Sequence, residues 1–372
     1  MVTARPTKEK HADASFAVRT SIGNLYLIHF QSAYGFQKYV KYCENGSKSK
    51  KNVCLFREAI VEDQTVNVLI INQAVGNTNG AIDKVRKLRG DDILIISCSP
   101  NEEPSEVVKR ADFAINVNNF ISGEKMLLQA KVLGAETFAH ISFPRHMEYV
   151  DLAERRDIIK RVSESEGLSF LDLEYPDPMY GVPTSTMHIL EDIPKQVERL
   201  GKNTAFFFTN CGQQISLIEA VVDNGGIYPQ PCCPSPYHGF TSALGIEIDI
   251  PSGVFNVETG EEIWRLRPIS EVIEAIRLII ANRGMTGRMS TAPLPYSMLF
   301  TYAAVEYGIK WMNGEVPREK GVIDYEAMEQ IMRDVIEEYS GEKGLGTSIS
   351  TWDYEGEKYP NYLLVWQDYL VF

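Results

Sequence analysis

No apolar run in the 372-residue chain approaches the ~20 residues that a membrane-spanning helix needs, so no such helix is expected. The opening MVTARPTKEKHADAS is basic but lacks a hydrophobic centre, so it does not read as an export signal. As written, the sequence reads as cytoplasmic; with a leader ahead of it, it would read as an extracytoplasmic lipoprotein. Positive charge is also scarce. The formal net charge of -13 disfavours a nucleic-acid surface, and the most basic run, Lys48 to Lys51, reads as a solvated loop behind Gly46 and Ser47. Cysteine is limited to Cys43, Cys54, Cys98, Cys211, Cys232 and Cys233, with no metal-site spacing among them. The neighbours Cys232 and Cys233 cannot bridge each other without severe strain. Free thiols are therefore expected, with no metal and no cofactor. No repeat of constant period is present.

What is present is alternation. At ~150 residues per domain the length suits two domains or one bilobal unit. From Val66, continuous apolar strands (VNVLIIN, DILIISCS, FAINV) alternate with helical segments (GNTNGAIDKVRKL, EEPSEVVKRA, SGEKMLLQAKVLG). This is the pattern of a parallel sheet covered on both faces. The stretch Gly134 to Arg161 organises the rest. It reads as a buried strand (Thr137 to Ser142), a polar elbow (Phe143-Pro144-Arg145-His146) and a helix with apolar residues about one turn apart. Further on, LSFLDL and TAFFFT read as strands, and Pro194 is expected to open or kink a helix. QQISLIEAVVDNGG reads as a helix closed by Gly225. A hairpin is expected about Thr259-Gly260, then helices at Ile269 to Asn282, Tyr296 to Asn313 and Tyr325 to Tyr339, and a terminal apolar strand in YLLVWQDYLVF.

Two successive βα sets joined through a strand such as Thr137 to Ser142 resemble the type I periplasmic-binding-protein fold of sugar-binding proteins and LacI-type effector domains. The blocks FAHISFPRHMEYVDLAERRDI, TAFFFTNCGQQ and PQPCCPSPYHGFTSALGIEI, with the Tyr-Leu-Leu ending, resemble an uncharacterised bacterial family of this fold. Its members are often described as lipoproteins or solute-binding proteins. The resemblance implies an α/β fold of two doubly wound parallel-sheet lobes joined by a multi-strand hinge. Residues 1-24 are then a polar leader. Residues 25-136 plus about 287-322 make the first lobe, and 137-286 plus about 323-372 the second. The function expected is non-enzymatic binding of a small polar or anionic ligand in an inter-lobe cleft, as a solute-binding or sensor protein. The expected partners are that ligand and a transporter or signalling component, with no direct nucleic-acid contact and no membrane span.

The candidate ligand-binding residues sit where parallel strands end, the position at which open α/β folds bind ligands. Arg145 and His146 follow the organising strand; Arg offers a rigid fork for an anion and His an adjustable donor. The alternative is that Arg145 pairs with Asp172 or Glu174 of its own lobe while His146 caps the helix. Asn210 and Cys211 turn into a helix amino terminus, where free N–H groups suit a polar ligand; Asn210 could equally be a plain cap. Gln73, Ser97 and Asn118 end three strands of the first lobe, as turn residues also do. Tyr237 and His238, in the Cys- and Pro-rich loop from Cys232 to Gly239, could stack on a ligand. No catalytic residue is assigned. The competing readings are an enzyme using a cleft cysteine with His146 or His238, and a ligand-sensing regulator without its own DNA-binding domain.

Overall fold

The computed structural model describes residues 15–19, 24–29, 66–72, 76–255, 262–354 and 356–372. Gln73, Cys43, Cys54, the run from Lys48 to Lys51 and the hairpin tip at Thr259-Gly260 lie outside those residues. In chain order the strands are β1 (Ser15–Arg19), β2 (Asn24–His29), β3 (Val66–Asn72), β4 (Leu94–Cys98) and β5 (Phe113–Val117), then β6 (Thr137–Ser142), β7 (Ser169–Glu174) and β8 (Thr204–Phe208). The series closes with β9 (Asp249–Phe255), β10 (Glu262–Leu266), β11 (Ser290–Thr291), β12 (Thr347–Tyr354), β13 (Glu357–Gln367) and β14 (Leu370–Val371).

The chain divides into two compact units. The first contains the described residues through Asn118, with Tyr296–Val335 and Gly346–Trp366. Its seven-stranded sheet runs β1-β2-β3-β4-β5-β13-β12. β2, β3, β4, β5 and β13 pair parallel in that succession, and β1 is antiparallel to β2. Wholly apolar strands need cover on both faces. The helix Thr78–Arg89 supplies Ala81, Ile82 and Val85 to a core with Leu69, Ile71 and Ile95. Asp112 sits in this core, and the Ile95 N–H and Arg86 both donate to its carboxylate at 2.6 Å. Paired in this way, the charge can be buried without an unmet group.

The second unit contains Asn119–Pro295, Ile336–Leu345 and Gln367–Phe372. Its parallel sheet is β7-β6-β8, and single bridges from Ala205 to Ile227 and from Tyr228 to Met289 extend the pairing. β8 is buried at every residue, and each fully buried Phe in it contributes ~1.5–3 kcal/mol relative to exposure. The helices Ser122–Val132 and Val150–Glu166 pack together because Gly123 has no side chain; a Cβ there would lie 2.9 Å from the Arg155 carbonyl oxygen. β9 and β10 pair antiparallel, as a hairpin requires.

Several expectations need correction. Ser15–Arg19 pairs with β2, so the stretch 1-24 is not only a polar leader. The helix Ser122–Val132 belongs to the second unit, and β12 and β13 belong to the first. The passage between units at Val335 and Ile336 falls inside the helix Tyr325–Ser340. Pro194 neither opens nor ends its helix, which runs unbroken from Val182 to Leu200. Ser185, Ile189, Ile193 and Val197 recur every four residues on its buried face. The carbonyl that Pro194 leaves without a donor belongs to exposed Leu190, on the side open to water. Ile227 and Tyr228 make isolated bridges and not a full strand.

Candidate functional site

Three polar residues meet at the carboxyl ends of β6 and β8. Ser142 Oγ lies 3.0 Å from Thr209 Oγ1, and His146 Nδ1 lies 2.8 Å from that same hydroxyl. Phe143 holds the imidazole from one side, ring centre to ring centre 4.0 Å. Burial pulls the His146 pKa below its ordinary value, and the nearby Arg145 charge adds to the effect. The imidazole therefore reaches the site neutral, able to donate or accept at its other nitrogen. His146 does not cap the helix, contrary to the alternative weighed above.

Arg145 is committed elsewhere. Its Nε donates to Asp177 Oδ2 at 2.8 Å and Nη2 to Oδ1 at 2.9 Å. This two-point bond is the main reason its guanidinium titrates above the ordinary value. The partner is Asp177, which also accepts from the Met179 N–H, and neither Asp172 nor Glu174. Asp172 instead accepts from buried His140 at 2.8 Å and lies 3.6 Å from Arg156.

Past β8, the Asn210 side chain accepts from the Gly212 N–H at 2.9 Å, so Asn210 caps the turn into the helix Gln214–Asn224. Cys211 opens that turn, exposed. The loop from Cys232 to Gly239 then comes back against the same helix. Gly239 permits this: its φ is +83°, and a Cβ there would meet Ile218 Cδ1 at 2.9 Å and Gln214 Cβ at 3.0 Å. The loop brings Cys232 Sγ to 3.0 Å from Cys211 Sγ, and Cys233 Sγ to 3.6 Å from it. The two neighbours are 3.9 Å apart, and all three are free thiols. His238 Nε2 lies 3.7 Å from Cys232 Sγ. The Tyr237 hydroxyl, by contrast, donates to the Arg267 carbonyl at 2.9 Å.

The trio shares its protons unequally. Cys232, then Cys233, then His238 hydrogen bond to Cys211 and hold its thiol well below the ordinary value. Cys232 is pushed up, chiefly by its bond to Cys211. One proton leaves readily and the next with difficulty. Arg155 supplies a positive charge. Burial pulls its pKa down, while the neighbouring cysteines work the other way. Among the described residues its Nε is buried without a hydrogen-bond partner. Three sulfurs this close could hold a metal ion. Cysteine spacing did not reveal the group, because adjacent cysteines and a third 21 residues earlier match no standard ligand pattern.

In the second unit, then, His146, Asn210 and Cys211 follow the ends of β6 and β8 and His238 joins through the loop, while Arg145 and Tyr237 are turned to other partners. Ser97 and Asn118 belong to the first unit, where Ser97 is buried and Asn118 donates to Ser350 Oγ at 3.0 Å.

A family model described as "Protein of unknown function (DUF3798)" matches residues 32–290. The chain belongs to this family. An "Uncharacterized protein" of Treponema pallidum (strain Nichols) is 32% identical over 228 residues, which is 61% of this chain and 98% of that one. Among solved structures, a "Putative transcriptional regulator" from Clostridium difficile 630 aligns with a TM-score of 0.70 at 19% identity, over 87% of this chain and 83% of that chain. A sugar ABC transporter protein from Actinomyces odontolyticus ATCC 17982 aligns over 73% of this chain and 72% of that chain, with a TM-score of 0.44 and 12% identity. The chain shares the α/β fold of the Clostridium difficile protein, with parallel sheets in each of its two units, the fold class the sequence resemblance implied.

Proposed function

We propose that this DUF3798 protein binds a small polar ligand at the carboxyl ends of β6 and β8, as a solute-binding or sensor protein and not as an enzyme. One observation carries the reading. Partly exposed His146 and Asn210 and exposed Cys211 follow the ends of parallel strands beside a helix amino terminus, where α/β folds recognise ligands. An anionic group on the ligand fits the N–H groups of that helix start. Arg145 is proposed to act through position, fixing the elbow that carries His146 by its bond to Asp177. A transporter or a signalling component is the proposed recipient.

The test is a thermal-shift screen of the full chain against small polar and anionic solutes, alongside mass spectrometry of molecules released from protein purified without added ligand. A true ligand at 100 times its Kd adds about 2.7 kcal/mol. His146→Ala should remove that gain and leave the unliganded melting temperature within a few degrees. A ligand that stabilises wild type and His146→Ala equally binds elsewhere and overturns the assignment.

The cysteine-enzyme reading is favoured by the 3.7 Å contact between Cys232 and His238. His238 also hydrogen bonds Cys211, so the imidazole faces the thiol cluster and is not paired with a single nucleophile. Alkylation of one of the three thiols far ahead of the other two, slowed by His238→Ala, would revive the enzyme reading.

A further inference from the structure

We infer that Cys211, Cys232 and Cys233 bind one thiophilic metal ion of the zinc(II) class, with His238 as the fourth donor. The site shares Cys211 with the proposed solute site but does not rest on that reading, since it needs only the three sulfurs and the imidazole. Separations of 3.0, 3.6 and 3.9 Å define a circle of radius about 2.0 Å through the sulfurs. An ion at the ~2.3 Å zinc–sulfur distance would sit about 1 Å off their plane, and a regular tetrahedron puts it ~0.8 Å off. In that geometry an imidazole nitrogen lies ~3.6 Å from each sulfur. His238 Nε2 lies 3.7 Å from Cys232 Sγ and hydrogen bonds Cys211, but it is not within 4.8 Å of all three sulfurs, so its side chain must turn toward Cys233 to complete the set.

The donor set selects the class of ion. Three thiols and an imidazole are soft or borderline ligands, unsuited to magnesium or calcium. A cubane iron–sulfur cluster would place each cysteine on a different iron and hold the sulfurs much farther apart than they are here. The charge also closes. Three thiolates around a divalent cation carry one net negative charge, and the guanidinium of Arg155, with its unpartnered Nε, supplies the matching positive one. On metal binding any thiol protons are released to solvent and each sulfur gains a bond to the metal.

The full chain, stripped with a chelator and reduced, is titrated with zinc(II) in competition with a chromophoric chelator. Cobalt(II) is used as a spectroscopic probe. One zinc per chain is expected, with a thiolate-to-cobalt charge-transfer band and the strong visible bands of tetrahedral cobalt. Cys211→Ser and Cys232→Ser should each lower zinc affinity by at least about 100-fold and His238→Ala by about 10- to 100-fold. Affinity should weaken as pH falls, because the ligands must lose protons. Peptide mapping of wild type after alkylation needs no variant: zinc should protect Cys211, Cys232 and Cys233, while buried Cys98 stays unreacted with or without it. Zinc content no higher than in the Cys211→Ser/Cys232→Ser/Cys233→Ser chain would overturn the inference. So would a cobalt spectrum without charge transfer, or a Cys211–Cys232 disulfide that forms as readily with zinc as without.

Discussion

Strand ends in the two units carry the same kinds of residue and use them in opposite ways. In the first unit Asn72 is fully buried, and its amide donates to the Ser297 carbonyl at 2.9 Å and to Thr301 Oγ1. Cys98 is buried beside it in the sheet, with Sγ 3.7 Å from the Phe300 carbonyl, and burial pushes its thiol pKa up. Both are turned to the helix Tyr296–Asn313, which seals these ends. In the second unit the positions after β6 and β8 carry His146, Asn210 and Cys211, none of them buried. An Asn or a Cys at a strand end is therefore ambiguous until the element that covers it is known.

Thiol reactivity should separate the two ends by the largest margin. With a thiol-specific reagent in the native chain, Cys211 should react orders of magnitude faster than Cys98, which should react only after denaturant is added. Comparable rates would mean that the Cys98 end is not sealed. Next comes Asn72→Ala, which removes a buried amide together with its hydrogen bonds to the Ser297 carbonyl and Thr301 Oγ1 and should cost about 1–3 kcal/mol in denaturant unfolding. Zinc and solute binding should not change. A cost near zero would show that Asn72 is not the bolt described.

A pH effect follows from His140, whose side chain is fully buried and whose pKa burial lowers despite the bond to Asp172. The unfolded chain binds this proton more readily than the folded one. Stability is therefore unaffected above the unfolded value of ~6.5 and falls as pH drops below it toward the lower folded value. Thermal melts should show that decline as pH falls below about 6.5, and His140→Phe should make it shallower, the remainder coming from His146. The smallest effect belongs to the exposed end of the comparison. Arg145→Ala and Asp177→Ala should each shift the melting temperature by a few degrees, since Arg145 keeps more than a third of its side chain in water although the Asp177 carboxylate is covered. The double variant should be no worse than either single one. A large loss in Arg145→Ala alone would point to a contact other than Asp177.

Many strands and helices of both units were legible in the chain because their signals are local. FAINV and Thr137 to Ser142 are strands at the bounds the apolar runs suggested, and Gly225 ends its helix with φ +76°. Tyr296–Asn313 is a helix over the expected span. β12 was missed because TSISTWDY is polar at many positions and is a strand by virtue of lying beside β13. Pro194 does not open its helix, as one of the two expectations had it, because burial of one helix face outweighs a single lost hydrogen bond.

The sequence by itself determined the alternation of elements, the parallel sheets and the placing of His146 and Cys211 just past strand ends, since each follows from residues close together in the chain. It could not decide partners. That Arg145 meets Asp177 32 residues away, or that Cys211 meets Cys232 and Cys233 across a loop, depends on where the backbone returns in three dimensions. Side-chain chemistry acts over a few ångströms, and only the folded path, held here by Gly239 against the helix Gln214–Asn224, sets which groups come within that range.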